Sequence, residues 1–218
     1  MIKLDKKLKK LETSVIRMGE QVIKQHQKCE EVLTNYDDKL AHEIIDNDSI
    51  INDYEVNINE QAIADIVLLR PVASDLRRVL VAIKIASDLE RIGDYAKGLA
   101  NYILKNSDED EYKHLLNHAL IMENKLIQIL ELVMKSYKEK DVQSAYEIPK
   151  EDMALNTLLR EFRHKLVEEK DPNLKHVFYL SNLFRNIERA GDHSVNICEH
   201  IVYLCKGVQY DFDKISSL

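Results

Sequence analysis

Two heptapeptides constrain this chain more than anything else in it: DLERIGD at residues 88–94 and NIERAGD at residues 186–192. A chain that repeats itself at this distance must build one supersecondary unit twice. The register extends on both sides of the motif. The offset of 98 also aligns Leu89 with Ile187 and Ile103 with Ile201. Further upstream an offset of 104 aligns Met18/Met122, Ile23/Ile127, Asp37/Asp141, Ala41/Ala145, Glu43/Glu147, Ile44/Ile148, Asp48/Asp152 and Asn52/Asn156. The offset changes once, where a loop of the second copy is shorter.

Apolar residues recur at spacings of three and four, so the unit is helical. A first helix is expected from Leu4 to Ile45, and a second starts near Asp46 or Asp48, either able to cap its amides. It runs through Ile51, Glu55, Ile58 and Ala62 to Leu69, and Pro71 stops it. The third begins about Pro71 and continues to Leu104. Asn106–Asp110 is a polar linker. A fourth helix carries Leu115, Ala119, Met122, Leu126, Ile129 and Val133, with a turn in Lys138–Asp141. A fifth opens near Pro149, and a sixth runs from Asn173 to Lys206. The sequence therefore predicts an all-α protein of two tandem, pseudo-symmetric three-helix bundles, six helices in up-down order forming one elongated unit. The first repeat occupies residues 1–106, the second 107–207, and residues 208–218 form a tail.

Charge and cysteine content narrow the class. A net charge of −7 lacks the basic face of a nucleic-acid binder, so no nucleic-acid partner is expected. Cys29, Cys198 and Cys205 show no paired spacing and read as reduced core thiols. No apolar run approaches a membrane span, and the N-terminal segment has no signal-peptide core, which predicts a cytoplasmic protein.

The motif itself poses a chemical question. Glu90/Asp94 and Glu188/Asp192 are spaced i, i+4, so each pair shares one helix face, where like charges repel. Counting about 100° per residue puts both pairs on the line of the apolar stripe, facing a neighbouring helix. Arg77, Lys84, Asp88 and Arg91 fall on the other side, as do Asn182, Asn186 and Arg189 on the sixth helix, while Val177, Phe178 and Ser181 share the acids' sector. Gly93 and Gly191 allow a close approach beside the acids. Three readings compete: neutralisation by a neighbouring Arg or Lys, acid–base chemistry, and a shared cation. The second helix of each repeat favours the cation, because Asp48/Asn52 and Asp152/Asn156 are i, i+4 pairs of oxygen donors that an antiparallel path brings opposite. Such a set suits magnesium, manganese, iron or zinc. Glu55 extends the first set, whereas Leu159 stands in its place in the second. A di-iron oxidase needs ExxH on core helices. Glu161/His164 point away from their stripe and Glu111/His114 adjoin the linker, which disfavours that reading. His193 is expected beside the site and not in it. No phosphate-binding loop and no nucleophilic triad stands out, so no catalytic residue is assigned.

The stretch Leu69-Arg70-Pro71-Val72-Ala73-Ser74-Asp75-Leu76-Arg77, followed by DLERIGDYA and by NIERAGDHSVNI at residues 186–197, resembles the signature of the PhoU family of phosphate-transport regulators. The resemblance spans essentially the whole chain. It implies a non-enzymatic cytoplasmic protein, peripherally associated with the phosphate ABC transporter through its ATPase subunit and often oligomeric, here a homodimer. It further implies a relay to a phosphate-sensing histidine kinase, with negative regulation when phosphate is plentiful. The metal role carries over to Glu90, Asp94, Glu188 and Asp192, and to Asp48, Asn52, Asp152 and Asn156. Asn52 and Asn156 depart from a DxxxD form, and amide oxygens bind metal more weakly. A metal-free helical adaptor is the competing reading, with Arg70, Arg77, Arg78 and Arg91 balancing the acids.

Overall fold

A turn at Tyr36 and Asp37 divides the first helical stretch. Tyr36 takes a left-handed φ of 55°, and the Asp37 side chain accepts hydrogen bonds from the amides of Lys39 and Leu40. In the computed structural model, which describes residues 2–106, 113–168, 174–212 and 214, helix α1 is therefore Ile2–Asn35 and α2 is Asp38–Leu69. The predicted boundary at Asp46 or Asp48 is about ten residues late. Local periodicity carries through the turn because a single left-handed residue with a capping aspartate reverses the chain without a Gly or Pro.

Pro71 acts as predicted. Arg70 before it is left-handed (φ 47°) and donates its amide to the Ile66 carbonyl, closing α2. Helix α3 starts at Ser74 rather than at the proline and ends at Asn106. Helices α4 (Lys113–Glu139), α5 (Val142–Glu168) and α6 (Leu174–Lys206) repeat the plan. Lys140 is left-handed and Asp141 caps α5 through the amides of Gln143 and Ser144. Pro149 lies inside α5 instead of opening it. The most polar part of the predicted linker, and Glu111, fall outside the described residues.

The two bundles are not beads on a string. Within each, all three helices pack together, and across the repeats α3 packs on α6 and α1 on α4. One continuous apolar core runs through both, from Leu8 and Val15 to Ile197 and Ile201. Helix α3 thus buries two faces. Asp88, expected on the solvent side, is buried in the seam against α6, and Asn186, also expected to point away, is half-buried beside Gly98. Phe178 and Ser181 on the predicted apolar side of α6 are exposed, since that part of the helix turns another face to the core.

Charged groups in the helix interfaces pair across them. Asp88 receives His193 (2.8 Å) on one oxygen and His200 (3.1 Å) on the other. Arg78 clamps the Glu12 carboxylate with two hydrogen bonds, tying α3 to α1. Fully buried His26 of α1 lies 2.6 Å from Glu123 of α4 and 3.0 Å from the Ile92 carbonyl. Two of the three cysteines are core thiols as expected; Cys205 is exposed, and all three are free.

Candidate functional site

Each acidic motif lies on the third helix of its repeat, facing the second. In the first repeat, Gly93 lets the Ile51 side chain of α2 press against the α3 backbone, so that a Cβ there would meet it at 3.0 Å. This close approach sets Asp48, Asn52 and Glu55 of α2 opposite Glu90 and Asp94 of α3. The acids feel each other: Glu90 titrates above its ordinary range because burial disfavours its charge, and Asp94, Glu55 and Asp48 add to the effect against a pull from Arg91. Asn52 donates to Asp48 Oδ2 at 3.3 Å.

Two cations of the chain serve this cluster: the exposed Arg91 guanidinium, 3.6 Å from Glu90 and 3.8 Å from Asp94, and the Lys97 ammonium. Lys97 Nζ lies 2.7 Å from Asp48 Oδ2, and the Asp48 side chain is only 3% exposed. The hydrogen bond to Asp48 raises the Lys97 pKa, and Asp94 and Glu90 contribute to the rise. Asp48 Oδ1 and Asn52 Oδ1 are buried without a hydrogen-bonding partner among the described residues. Lys97 was not singled out in the sequence, although it continues the Glu90, Asp94 face at i+7.

In the second repeat Gly191 does the same work more tightly. A Cβ there would overlap Asp152 Oδ1 and stand 2.8 Å from Leu155 Cδ1. Asn156 again donates to its aspartate, at 3.2 Å. Asp152, Asn156 and Asp192 line one cleft of about 550 Å³, together with Val195, Asn196 and Glu199. Tyr146, Tyr210 and Phe212 form its aromatic wall, and the Phe212 amide donates to Glu199. Tyr210 and Phe212, in the segment after Gly207 that carries no pattern in the sequence, therefore flank this site. Glu188 is coupled to Asp192 but does not line the cleft. Its pKa is raised by burial and then by Asp192, while Arg163, Arg185 and Arg189 oppose the shift.

The eight predicted residues thus gather into two related clusters, with Glu188 set apart in the second. Glu90 and Asp94 sit at a rim, with side chains 19% and 39% exposed, rather than in the core. Among the described residues, no three His, Cys, Asp or Glu groups converge closely enough to hold a metal ion as they stand. By donor chemistry, the second cleft offers carboxylate and amide oxygens, with Lys150 also in its lining, while in the first the Lys97 ammonium already holds Asp48. Glu161 and His164 are exposed, as their angle from the apolar stripe predicts, and the side chains of Glu111 and His114 lie outside the described residues. No helix among the described residues is long and apolar enough to cross a membrane.

The PhoU domain family matches this chain twice, over residues 15–103 and 120–201. The phosphate-specific transport system accessory protein PhoU homolog of Clostridium acetobutylicum is 31% identical over 210 residues, covering 94% of this chain and 95% of that protein. The Escherichia coli phosphate-specific transport system accessory protein PhoU is 31% identical over 209 residues, covering 93% and 85%. The crystal structure of PhoU from Pseudomonas aeruginosa superposes with a TM-score of 0.86 at 26% identity, covering 94% of this chain and 99% of that one. These names describe accessory proteins rather than enzymes. With both repeats matched and nearly the full length aligned, the chain belongs to the PhoU family.

Proposed function

We propose that this protein is an accessory regulator of phosphate uptake. It docks on the ATPase subunit of a phosphate ABC transporter and relays the transporter's state to a phosphate-sensing histidine kinase, holding the response down when phosphate is plentiful. It works as a cytoplasmic homodimer that reaches the membrane through its partners. The observation that carries this reading is the end-to-end match to relatives named for the phosphate-specific transport system. Purifying the tagged chain from its own cells, grown in high and in low phosphate, tests it. The ATPase subunit is expected among the co-purifying proteins, and deleting the protein is expected to switch on phosphate-starvation genes in rich phosphate. Recovery of no transporter component in either condition, with starvation genes unchanged by deletion, would sink the proposal.

The second-repeat cleft is proposed to take one or more metal ions (iron, zinc, manganese or magnesium) held by Asp152, Asn156 and Asp192, with Glu188 drawn in from its edge. A bound ion would supply a charged cross-link between α5 and α6, balancing carboxylates that otherwise repel. A metal-free adaptor is favoured by one observation: three arginines already offset the charge of Glu188. Metal analysis of protein purified without chelator, before and after supplementation, separates the two.

A further inference from the structure

The two repeats share their inner faces and differ on their outer ones. On α2 the outward side carries Val56, Ile63 and Val67, which fall within about 40° of one another on an ideal helix. They are 52%, 60% and 67% exposed. Asp53 and Glu60, both exposed, border this stripe on one side, and no Lys or Arg occurs on α2 between Lys39 and Arg70. The offset of 104 puts Arg160, Val167 and Asp171 at the stripe positions in the second repeat, so α5 does not repeat it. The second repeat has a groove instead. It runs between α4 and α5, encloses about 750 Å³, and takes its apolar lining from Ile121, Met153, Ala154 and Leu158. Ile121 is 52% exposed and Met153 65%. The polar lining is neutral except for Lys125, which pairs with Glu151. Toward the end of α5, Arg160 donates to Thr157 in the groove wall at 3.2 Å, and Lys165 lies 2.6 Å from His118 of α4. These two cations face one carboxylate there, Glu161, so that end is basic. In the first repeat Arg17, Ser49 and Asp53 stand where the groove has Ile121, Met153 and Thr157.

We propose that α2 of one copy of this chain docks in the α4–α5 groove of a second copy, and that the second copy's α2 returns the contact, closing a two-fold dimer. An amphipathic helix with an outward apolar stripe and a groove between two helices are the two halves of one recognition mode. Each half occurs in one repeat only, so the pairing is between unlike faces of the two copies. The lengths agree. Val56 to Val67 covers about 16 Å of helix axis, and the groove wall from Met153 to Lys165 about 18 Å. Charge sets the direction. With α2 antiparallel to the α5 it meets, Asp53 and Glu60 lie toward Arg160 and Lys165, and Val67 lies toward Met153. The opposite direction would bring the acidic half of α2 to Glu147 and Glu151, whose charges Lys150 and Lys125 already balance.

This inference deepens the homodimer part of the proposed function and rests on it, and sedimentation velocity of the full-length chain over micromolar concentrations separates the two. The native chain is expected to dimerise. Ile63→Glu and Met153→Glu should each raise the dimer dissociation constant about 100-fold or more, because either change sets an unpaired carboxylate into both apolar contacts. Mixed in equal amounts, the two variants should associate more tightly than either alone, since one copy of each leaves one contact intact. Glu60→Arg should weaken the dimer, and adding Arg160→Glu to the same chain should restore it. Circular dichroism melts check the fold of every variant, and Ile63→Ser and Met153→Ser repeat the measurement where a glutamate variant melts early. A native dimer that these substitutions do not weaken overturns the docking surface and leaves the homodimer reading standing. A mixture that associates no better than its components overturns the docking surface as well. A native chain that stays monomeric throughout removes both.

Discussion

His26 and Glu123 show how much can hang on one proton. A carbonyl only accepts, so the His26 Nε2 facing Ile92 must carry a hydrogen, and the 2.6 Å contact at Nδ1 holds a further proton between imidazole and carboxylate. Burial alone would depress the His26 pKa, but the charge and hydrogen bond of Glu123 and the Ile92 carbonyl outweigh it and leave the value raised. The pair's stabilisation is therefore complete below the ordinary histidine range of about 6.5 and fades as pH rises through the higher folded value. In Glu123→Gln only the depressing influence of burial remains strong, so the slope should reverse and stability should fall as pH drops. Urea unfolding of both proteins between about pH 5.5 and 8.5 measures the difference, and parallel profiles would refute it. The glycines make a second residue-scale contrast. Gly191→Ala drives a methyl into Asp152 and Leu155 on the facing helix and should cost about 1–3 kcal/mol. Gly19→Ala meets only the flexible end of Met134, and gains helix propensity of about 0.5–1 kcal/mol, so its melting temperature should barely move. Equal losses in the two variants would mean that the close α5–α6 approach is not what Gly191 provides. The acidic pairs and their partner helix were legible in sequence because the i, i+4 rule and the repeat are both local. Lys97 obeyed the same rule at i+7 and was readable; the Asp88–His193–His200 cluster was not, because nothing local tells a helix that it has a second buried face.

At the scale of the helix, turn chemistry decides what periodicity cannot. Asp37 and Asp141 are partners in the repeat, and both cap the second helix of their bundle. Sequence reading places a turn at Lys138–Asp141 yet runs the first helix straight through Asp37. Carrying the offset of 104 back from Asp141 would have put the break where it stands, and would have moved Pro149 to the middle of a helix, opposite Ile45 in the alignment. What hid the break is that Tyr36 and Lys140 adopt left-handed backbones without being glycine, so the usual punctuation is missing. The two caps are not equal. Asp37 accepts from two amides, whereas Asp141 accepts from two amides and from the Ser144 hydroxyl at 2.6 Å. Alanine at either position should cost about 1 kcal/mol, within the usual spread for a lost N-cap, with the larger loss at Asp141. Chemical denaturation of the two single variants ranks them, and a larger loss at Asp37 would show that the hydroxyl contributes nothing.

For the molecule as a whole, the repeat in sequence does not imply two independent halves in stability. Helices α1 and α3 are covered by α4 and α6 along a single apolar core, and the polar contacts placed in that seam need both sides. Separated from the second repeat, Asp88 loses both histidines, and His26 is left in an apolar wall without Glu123. Uncovered, those polar groups face water, but the apolar side of α1 and α3 around them loses its burial, at about 25 cal/mol per Å². The full chain should consequently unfold in one cooperative step, with helix content and core packing lost together. A chain of residues 1–106 alone should either melt broadly or pair with itself through the face that α4 and α6 cover, since an unpartnered apolar face of this kind drives association. Circular dichroism melts combined with light scattering distinguish these results. A monomeric first repeat with a sharp melt near that of the full chain would show that the seam between the repeats is a contact of two finished domains, and not the centre of one core.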